Sequence, residues 1–392
     1  MSQQQSEDAA VAVADAPGWA SGAVREEGLG PECWRCKGAR TVVKKIRHKG
    51  EKSAEKKTPK NELITVDCPV CKGVGRLEVK RKLTSNADVP GSISKRQRPL
   101  PEGWEVPGPK SAGGVEPERG EELCSLLGHW RIFQRIGGHR WSTDDLVTAW
   151  LAGKAWREAN PSSSSKGPEH CLDLGCGIGT VLQMNAWAFE NAKVLGVEAQ
   201  ELSASMARRS IQYNGCQDRC EVILSDIRSF DGKWDKSPDG KFDLITGTPP
   251  YFPVTFSEKG DAATPFGGLP TCEQSAPARY EFRGGVEAYC AAAKPRLRDE
   301  NSRFVVCEGY LETNHDRVMS SAADNGLHVL RQVCVHGRDD KPALFAVYEM
   351  SLASTTGTPL PEMTIEKLIV RYKGGKRSDE YVQLMATMGI PP

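Results

Sequence analysis

The chain of 392 residues has no window of about 18 uncharged apolar residues, so it offers nothing with the length of a membrane-spanning helix. Its first 24 residues contain no lysine or arginine but carry Glu7, Asp8 and Asp15. A secretory leader opens on positive charge and a transit peptide is arginine-rich, so neither is expected. The expected location is the cytoplasm, with the nucleus as the alternative. No long-period repeat recurs, which excludes a solenoid or a propeller. With 39% apolar and 26% charged residues, collagen, coiled coil and a wholly disordered chain are excluded as well. What the chain has in plenty is cysteine, thirteen in all. In a reducing compartment these do not form a disulfide framework. Some are expected to bind metal and the rest to pack as small buried hydrophobes.

A net charge of +1 conceals an asymmetry. Residues 31–98 hold 19 Lys and Arg against 7 Asp and Glu, a surplus of +12. Residues 1–30 carry −4, which leaves −7 for residues 99–392. One strongly basic segment on a mildly acidic body is the pattern of an electrostatic arm for a polyanion.

Composition divides the chain into five parts. Residues 1–30 have little to bury and are expected to be disordered. Residues 31–82 contain two Cys pairs around a lysine-rich insert. Residues 83–120, with Pro90, Pro99, Pro101, Pro107, Pro109 and Pro117, read as a linker. From 121 to 352, short β-branched runs alternate with helical stretches, the signature of βαβ units and a mostly parallel sheet. Residues 353–392 read as a loop followed by a lysine-rich tail that packs on this domain.

Within the body the pattern predicts strands at His170–Leu174, Val194–Glu198, Cys220–Leu224, Phe242–Thr246 and Arg303–Glu308. Helices are expected near Thr180–Glu190, Glu201–Tyr213, Gly285–Lys294 and Asn314–Ala323, with Asn214-Gly215 as a helix stop. Val329–Val335 and Ala343–Tyr348 follow each other without a helix and should pair antiparallel at the sheet edge. The expected fold is α/β, a Rossmann-like sheet with an antiparallel edge hairpin, plus a small N-terminal zinc module.

The run Asp173-Leu174-Gly175-Cys176-Gly177-Ile178-Gly179 lies between a strand and a helix. Its glycines permit a sharp turn and close approach to a ligand. Such a turn also serves dinucleotides. Asp173 suits a cationic amino-acid headgroup better than a pyrophosphate. Glu198, 19 residues after Gly179, ends the next strand where a carboxylate can accept both ribose hydroxyls. Asp226 and Ile227 end the third, where one can accept from an adenine amine and the other pack on its ring. Amino acid, ribose and adenine together describe S-adenosylmethionine. Cys176 is read as a packing residue.

Thr248-Pro249-Pro250-Tyr251 follows the fourth strand and resembles the (Asn/Asp)-Pro-Pro-(Tyr/Phe) motif of amino-methyltransferases. An exocyclic amine is a poor nucleophile because its lone pair is delocalised. Acceptors must hold its N–H groups as the methyl arrives. Thr248 and the Pro249 carbonyl can accept, Pro250 stiffens the loop, and the Tyr251 ring can stack on a planar base. Cytosine-C5 chemistry would need a cysteine here, and the loop has none. Threonine in place of Asn or Asp is a shorter acceptor, and a fold that has lost activity is the alternative.

The likeness extends further. Gln134 to Asp144, including Gly138-His139-Arg140-Trp141-Ser142, is similar to the "Q-x-x-x-G-Y-R-F-S-x-D" segment of the bacterial tRNA(Val) adenine-37 N6-methyltransferase family. Ala278-Arg279-Tyr280-Glu281 is similar to its "A-R-H-E", and the tail from Tyr372 to Leu384 to its closing "Y-T-x-E-Y". The resemblance covers roughly residues 125–390 and implies adenine in structured RNA, tRNA above all, as substrate. Ser142-x-x-Asp145 also reads as a capping box that starts a helix. Two other readings stand beside this one: a non-catalytic RNA or protein adaptor, and glutamine-amide methylation.

Cys33-x2-Cys36 and Cys68-x2-Cys71 are separated by 31 residues and offer four thiolates for one tetrahedral Zn²⁺. Cys68-Pro-Val-Cys71-Lys-Gly73-Val-Gly75 also resembles the CxxCxGxG repeat of DnaJ-type zinc modules. Between the pairs lie Lys44, Lys45, Arg47, Lys49, Lys52, Lys56, Lys57 and Lys60. This insert can track phosphates, stay a solvated loop, or act as a nuclear signal.

Overall fold

Strands buried on both faces read as continuous apolar runs, and the centre of this protein is built from such strands. The computed structural model describes residues 41–47, 61–67, 90–93, 100–163, 166–256, 262–263, 274–309, 314–354 and 361–391. The chain forms two units, residues 1–88 and 89–392.

In the first unit, strands β1 (Thr41–Arg47) and β2 (Asn61–Asp67) pair antiparallel, from Thr41 opposite Asp67 to Arg47 opposite Asn61. Cys33, Cys36, Cys68 and Cys71 lie outside the described residues.

The second unit opens with a small sheet of β3 (Ser92–Ile93), β4 (Glu121–Ser125) and β5 (Arg131–Arg135), followed by helix α1 (Thr143–Ala159). Next come β6 (His170–Leu174), α2 (Thr180–Ala188), β7 (Lys193–Glu198), α3 (Glu201–Asn214), β8 (Cys220–Leu224) and β9 (Leu244–Gly247). A short pair, β10 (Thr255–Phe256) and β11 (Ala262–Ala263), precedes α4 (Val286–Ala293), β12 (Arg303–Gly309) and α5 (Asn314–Asp324). The remaining elements are β13 (Leu327–His336), β14 (Phe345–Leu352), β15 (Thr364–Ile369) and α6 (Asp379–Thr387).

Eight strands form the main sheet in the order β15-β13-β14-β12-β9-β6-β7-β8. β8, β7, β6, β9 and β12 are mutually parallel. β14 is antiparallel to both β12 and β13. The chain winds outward from β6 to β8, then returns to the other side of β6 as β9. The C-terminal ends of β6 and β9 therefore flank a topological switch point, where open α/β sheets bind ligands.

Side chains alternate between the two faces, as strand geometry requires. Cys171, Val194, Leu244 and Val305 point into a core with α1, α2, α3 and α6. Their neighbours Leu172, Leu195, Ile245 and Val306 point into a second core with α4 and α5. Among the described residues, seven cysteines behave as small hydrophobes. Cys124, Cys171, Cys176, Cys216, Cys220, Cys290 and Cys307 are buried and free. Among the described residues, no helix is long and apolar enough to cross a membrane.

Two findings differ from the sequence reading. β13 and β14 pair antiparallel as expected, but they are not the sheet edge. β15 lies outside β13 and parallel to it, from Arg331 opposite Thr364 to His336 opposite Ile369. Its pattern is weak because an edge strand needs little apolar surface: Leu368 is buried, whereas Ile365 is 65% exposed. α6 then returns to the core, where Tyr381, Leu384, Met385 and Met388 are buried. Its start is set by Ser378, whose hydroxyl accepts from the Tyr381 N–H at 3.0 Å. The second difference is in the stretch expected as a linker. Its described parts are ordered: Ser92 and Ile93 form β3, and residues 100–120 reach α3, where the Gly113 N–H donates to the Tyr213 carbonyl at 2.9 Å. The Ser111 hydroxyl donates to the Asn214 side chain at 3.1 Å.

Because α6 fills the core, Leu384→Ala and Met388→Ala should each cost about 2–5 kcal/mol of unfolding free energy, read by denaturant titration. A surface-lying tail would show changes within about 0.5 kcal/mol.

Candidate active site

The turn after β6 is shaped by three glycines in the left-handed region, Gly175, Gly177 and Gly179, with φ of 60°, 55° and 81°. A Cβ at Gly175 would lie 2.1 Å from the Tyr289 hydroxyl. At Gly177 a Cβ would meet nothing within 4 Å, so there the backbone faces open space. Gly175 and Gly177 line a cavity at the switch point, and Gly179 instead begins α2.

Glu198, at the end of β7, lines the same cavity and is buried. Its Oε2 accepts from the Gly177 N–H at 2.9 Å and its Oε1 from the Gln200 N–H at 2.7 Å. Burial pushes its carboxyl above the ordinary value, partly offset by those two amides. Each oxygen keeps a further lone pair for a ligand hydroxyl. Asp226 and Ile227 also line the cavity. Arg228 clasps the Asp226 carboxylate through Nε and Nη2 at 2.9 and 2.8 Å. Burial raises the Asp226 carboxyl, but the Arg228 guanidinium and amide, with Arg283, outweigh it and hold the group below its usual value.

Asp173 is placed differently from the expectation. It is absent from the cavity wall and lies buried beneath the turn. Its Oδ1 accepts from the Thr246 hydroxyl at 2.8 Å and its Oδ2 from the Leu182 N–H at 2.9 Å. Burial pushes its carboxyl to about 7, against the pull of those donors. The carboxylate that reaches the cavity is Asp145, which sequence reading placed only in a capping box. That box is formed: the Ser142 N–H donates to Asp145 Oδ2 at 3.0 Å. Burial, then the neighbouring Asp144, push the Asp145 carboxyl well above the ordinary range.

Beyond β9, Thr248 and Pro250 line the cavity, and Pro249 is buried between them. Gly247 is required before them, because a Cβ would lie 2.6 Å from the Tyr289 ring. Tyr251 is not part of the cavity wall. Its hydroxyl donates to Asp144 Oδ2 at 2.8 Å and lies 2.8 Å from Cys307 Sγ. Burial and these two electron-rich neighbours push its phenol well above the ordinary value. The loop is also zipped to residues 276–281: the Phe252 N–H donates to the Arg279 carbonyl at 3.1 Å, and the Glu281 N–H to the Phe252 carbonyl at 2.9 Å. That pairing puts Tyr280 in the cavity wall, its ring centroid 5.5 Å from that of Phe252.

The structure thus brings Gly175, Gly177, Glu198, Asp226, Ile227, Thr248 and Pro250 together, and leaves Asp173, Gly179, Pro249 and Tyr251 behind the wall. It adds His139, Asp145, Gln274, Tyr280, Arg283 and Tyr289. Sequence likeness touched three of these, Tyr280 in "A-R-Y-E", His139 in the Gln134–Asp144 segment and Asp145 in the capping box, without giving any of them a role at the cavity.

Strand order and a carboxylate-flanked glycine turn make this a Rossmann-like α/β sheet with a cavity at its switch point, and the family described as "Methyltransferase domain" matches residues 171–257, from β6 through the loop after β9. The chain is similar to the tRNA1(Val) (adenine(37)-N6)-methyltransferase of Porphyromonas gingivalis, 34% identical over 99 residues, 25% of this chain and 37% of that protein. The enzyme of the same name from Serratia proteamaculans is 25% identical over 222 residues, 55% of this chain and 75% of its own. The rRNA N(6)-adenosine-methyltransferase metl-5 of Caenorhabditis elegans is 34% identical over 80 residues, 20% of this chain and 36% of its own. The chain spans little more than a third of the first relative's length.

If Tyr251 and Asp144 brace the loop together, Tyr251→Phe and Asp144→Asn should each destabilise the protein, and the double variant should cost less than their sum. The expected coupling is about 1–3 kcal/mol, as for hydrogen bonds to charged groups. Strict additivity in denaturant titrations would show that the contact is energetically idle.

Proposed function

We propose that this chain methylates the N6 amine of adenine in structured RNA, with tRNA as the leading substrate class. The observation that carries the reading is that Thr248 and Pro250 share one cavity with Glu198, Asp226 and Ile227. Groups suited to an adenosyl ligand and groups suited to an amine therefore face the same space. The likeness to tRNA and rRNA adenine methyltransferases supports the choice of acceptor.

The residues fit S-adenosylmethionine, whose sulfonium supplies the methyl group. Glu198 would accept from the ribose hydroxyls through its remaining lone pairs. Asp226 would accept from the adenine amine at Oδ2, and Ile227 would pack on the ring. The open face of Gly177 admits the ligand close to the backbone. Asp145, not Asp173, is the acid that reaches this part of the cavity, where burial holds it toward its neutral form and its carbonyl oxygen would accept from the N–H groups of the headgroup. At the other end, the Thr248 hydroxyl would accept from the target amine, and the Pro249 carbonyl, which lies behind the wall, would join it only by a turn of the loop. Stacking by Tyr251 would require its ring to swing inward, against its bonds to Asp144 and Cys307, so Tyr280 and Pro250 are the surfaces offered to the base.

The N-terminal unit completes the proposal. Pairing of Thr41 with Asp67 sets side by side the chain ends that lead toward Cys36 and Cys68. This supports a single Zn²⁺ held by Cys33, Cys36, Cys68 and Cys71, with the basic segment 31–98 as an arm for phosphates. The expected compartment remains the cytoplasm, or the nucleus through the basic insert.

The test is methyl transfer to total RNA, followed by mass spectrometry of nucleosides and of the protein fraction. N6-methyladenosine should form, and Thr248→Val should slow it about 10²–10³-fold, the usual loss for one transition-state contact. Glu198→Ala should weaken cofactor binding measured calorimetrically. Label appearing only in protein glutamine, or no transfer despite cofactor and RNA binding, would replace this reading. Metal analysis should find about one zinc per chain, lost in Cys33→Ser and Cys68→Ser variants. Zinc-free protein after gentle purification would remove the module from the proposal.

A further inference from the structure

Methylating an amine creates a positive charge on nitrogen that is relieved by losing one proton. A threonine hydroxyl and a peptide carbonyl can hold an N–H, but neither is basic enough to take the proton. A base must therefore come from the cavity wall, whose titratable groups are few. Asp145 is buried and pushed well above the ordinary carboxyl range, first by burial and then by Asp144, which favours its protonated form. Glu198 and Asp226 lie at the ribose and adenine end, and Asp226 is clasped by Arg228. Arg283 is a cation, burial pushes the Cys176 thiol well above its ordinary value, and the phenols of Tyr280 and Tyr289, the latter pushed far up by burial and neighbouring acids, are donors and not bases. His139 remains.

Resting on the function proposed above, we propose that the imidazole of His139 is the base that accepts the proton released by the target amine. His139 lines the cavity with Thr248, Pro250 and Asp145. Its backbone N–H donates to Gln274 Oε1 at 2.8 Å, which pins the turn before α1 to the segment that carries Tyr280. Its Nδ1 is buried and has no hydrogen-bond partner among the described residues. A buried ring nitrogen without a partner is costly, and a catalytic role is one of the reasons a protein keeps such a group.

The surroundings keep the ring neutral and able to accept. Burial, the largest influence, pushes its titration below the ordinary value; Asp144 on α1 pulls it up, and Arg279 on the facing segment pushes it down. Asp145, the other acid of α1 at this cavity, is itself held toward its neutral form. In the step, the amine nitrogen bonds to the methyl carbon while the carbon–sulfur electron pair leaves with sulfur. The N–H electron pair stays on nitrogen as the proton passes to the imidazole, and water later removes it. The base also compensates for Thr248, which supplies a shorter acceptor than the Asn or Asp of the common motif.

The test is single-turnover methylation of RNA across pH 5 to 9 with wild type, His139→Gln and His139→Ala. Wild type should rise along one limb, with a midpoint below about 6.5, and stay flat above it. His139→Gln keeps a polar acceptor but not a base. It should lose about 10²–10⁴ in rate, as for a general base, and lose the limb, with cofactor and RNA affinity unchanged. Added imidazole should partly restore His139→Ala. Unchanged cofactor affinity and melting temperature certify that the variants are folded. NMR titration of the His139 ring in wild type should give the same midpoint as the rate. Variants within threefold of wild type that keep the limb would overturn the assignment of His139 while leaving the function intact. Wild type that forms no N6-methyladenosine would overturn the function and this assignment with it.

Discussion

Everything at the cavity depends on one buried carboxylate. Asp173, on the central strand β6, accepts from Thr246 on β9 and from the Leu182 amide on α2. Asn185 of α2 reaches the same Thr246 hydroxyl at 3.2 Å. Two strands and a helix are thereby fixed at the level where the chain leaves the sheet on both sides. Just above this level, β6 turns through its glycines and β9 leads into Thr248. An apolar side chain at 173 could fill the volume but could not fix the spacing between the two loops. The group expected to touch the cofactor holds the platform from which cofactor and acceptor loops both rise.

A second tie runs across the loop after β9. α1 presents Asp144 to the Tyr251 hydroxyl, and the loop pairs with residues 279–281 on its other side. The loop is held at its root by Gly247 against Tyr289, in the middle by Asp144, and at its exit by the Phe252 backbone bonds. Such preorganisation matters for amine chemistry, in which acceptors must already be placed as charge develops.

Much of this was legible in the sequence, because the strong signals were geometric. Strands buried on both faces advertise themselves, and His170–Leu174 falls where its pattern places it. Glu198, Asp226 and Thr248 meet at one cavity as their spacing suggested, because their placement depends on position relative to a strand end. Asp173 was misjudged because an acid next to a glycine turn has two partners available, a ligand or the helix behind it, and spacing does not say which. His139 and Gln274 lie in turns remote in sequence from each other, and only tertiary packing makes them neighbours. β15 carries Glu366, Lys367 and an exposed Ile365. An edge strand needs so little burial that its pattern resembles a polar tail.

The outermost position of β15 has a consequence for how the protein is made. β13 is completed long before residues 364–369 leave the ribosome, so its outer row of amides and carbonyls stands unpaired in the interim. Such an edge is a template for pairing with another chain. The nascent domain can bind its central elements together but cannot close its own sheet until the segment through α6 has emerged. Ribosome stalling between β14 and β15 would thus release a species that is folded at its cavity end and sticky at the other.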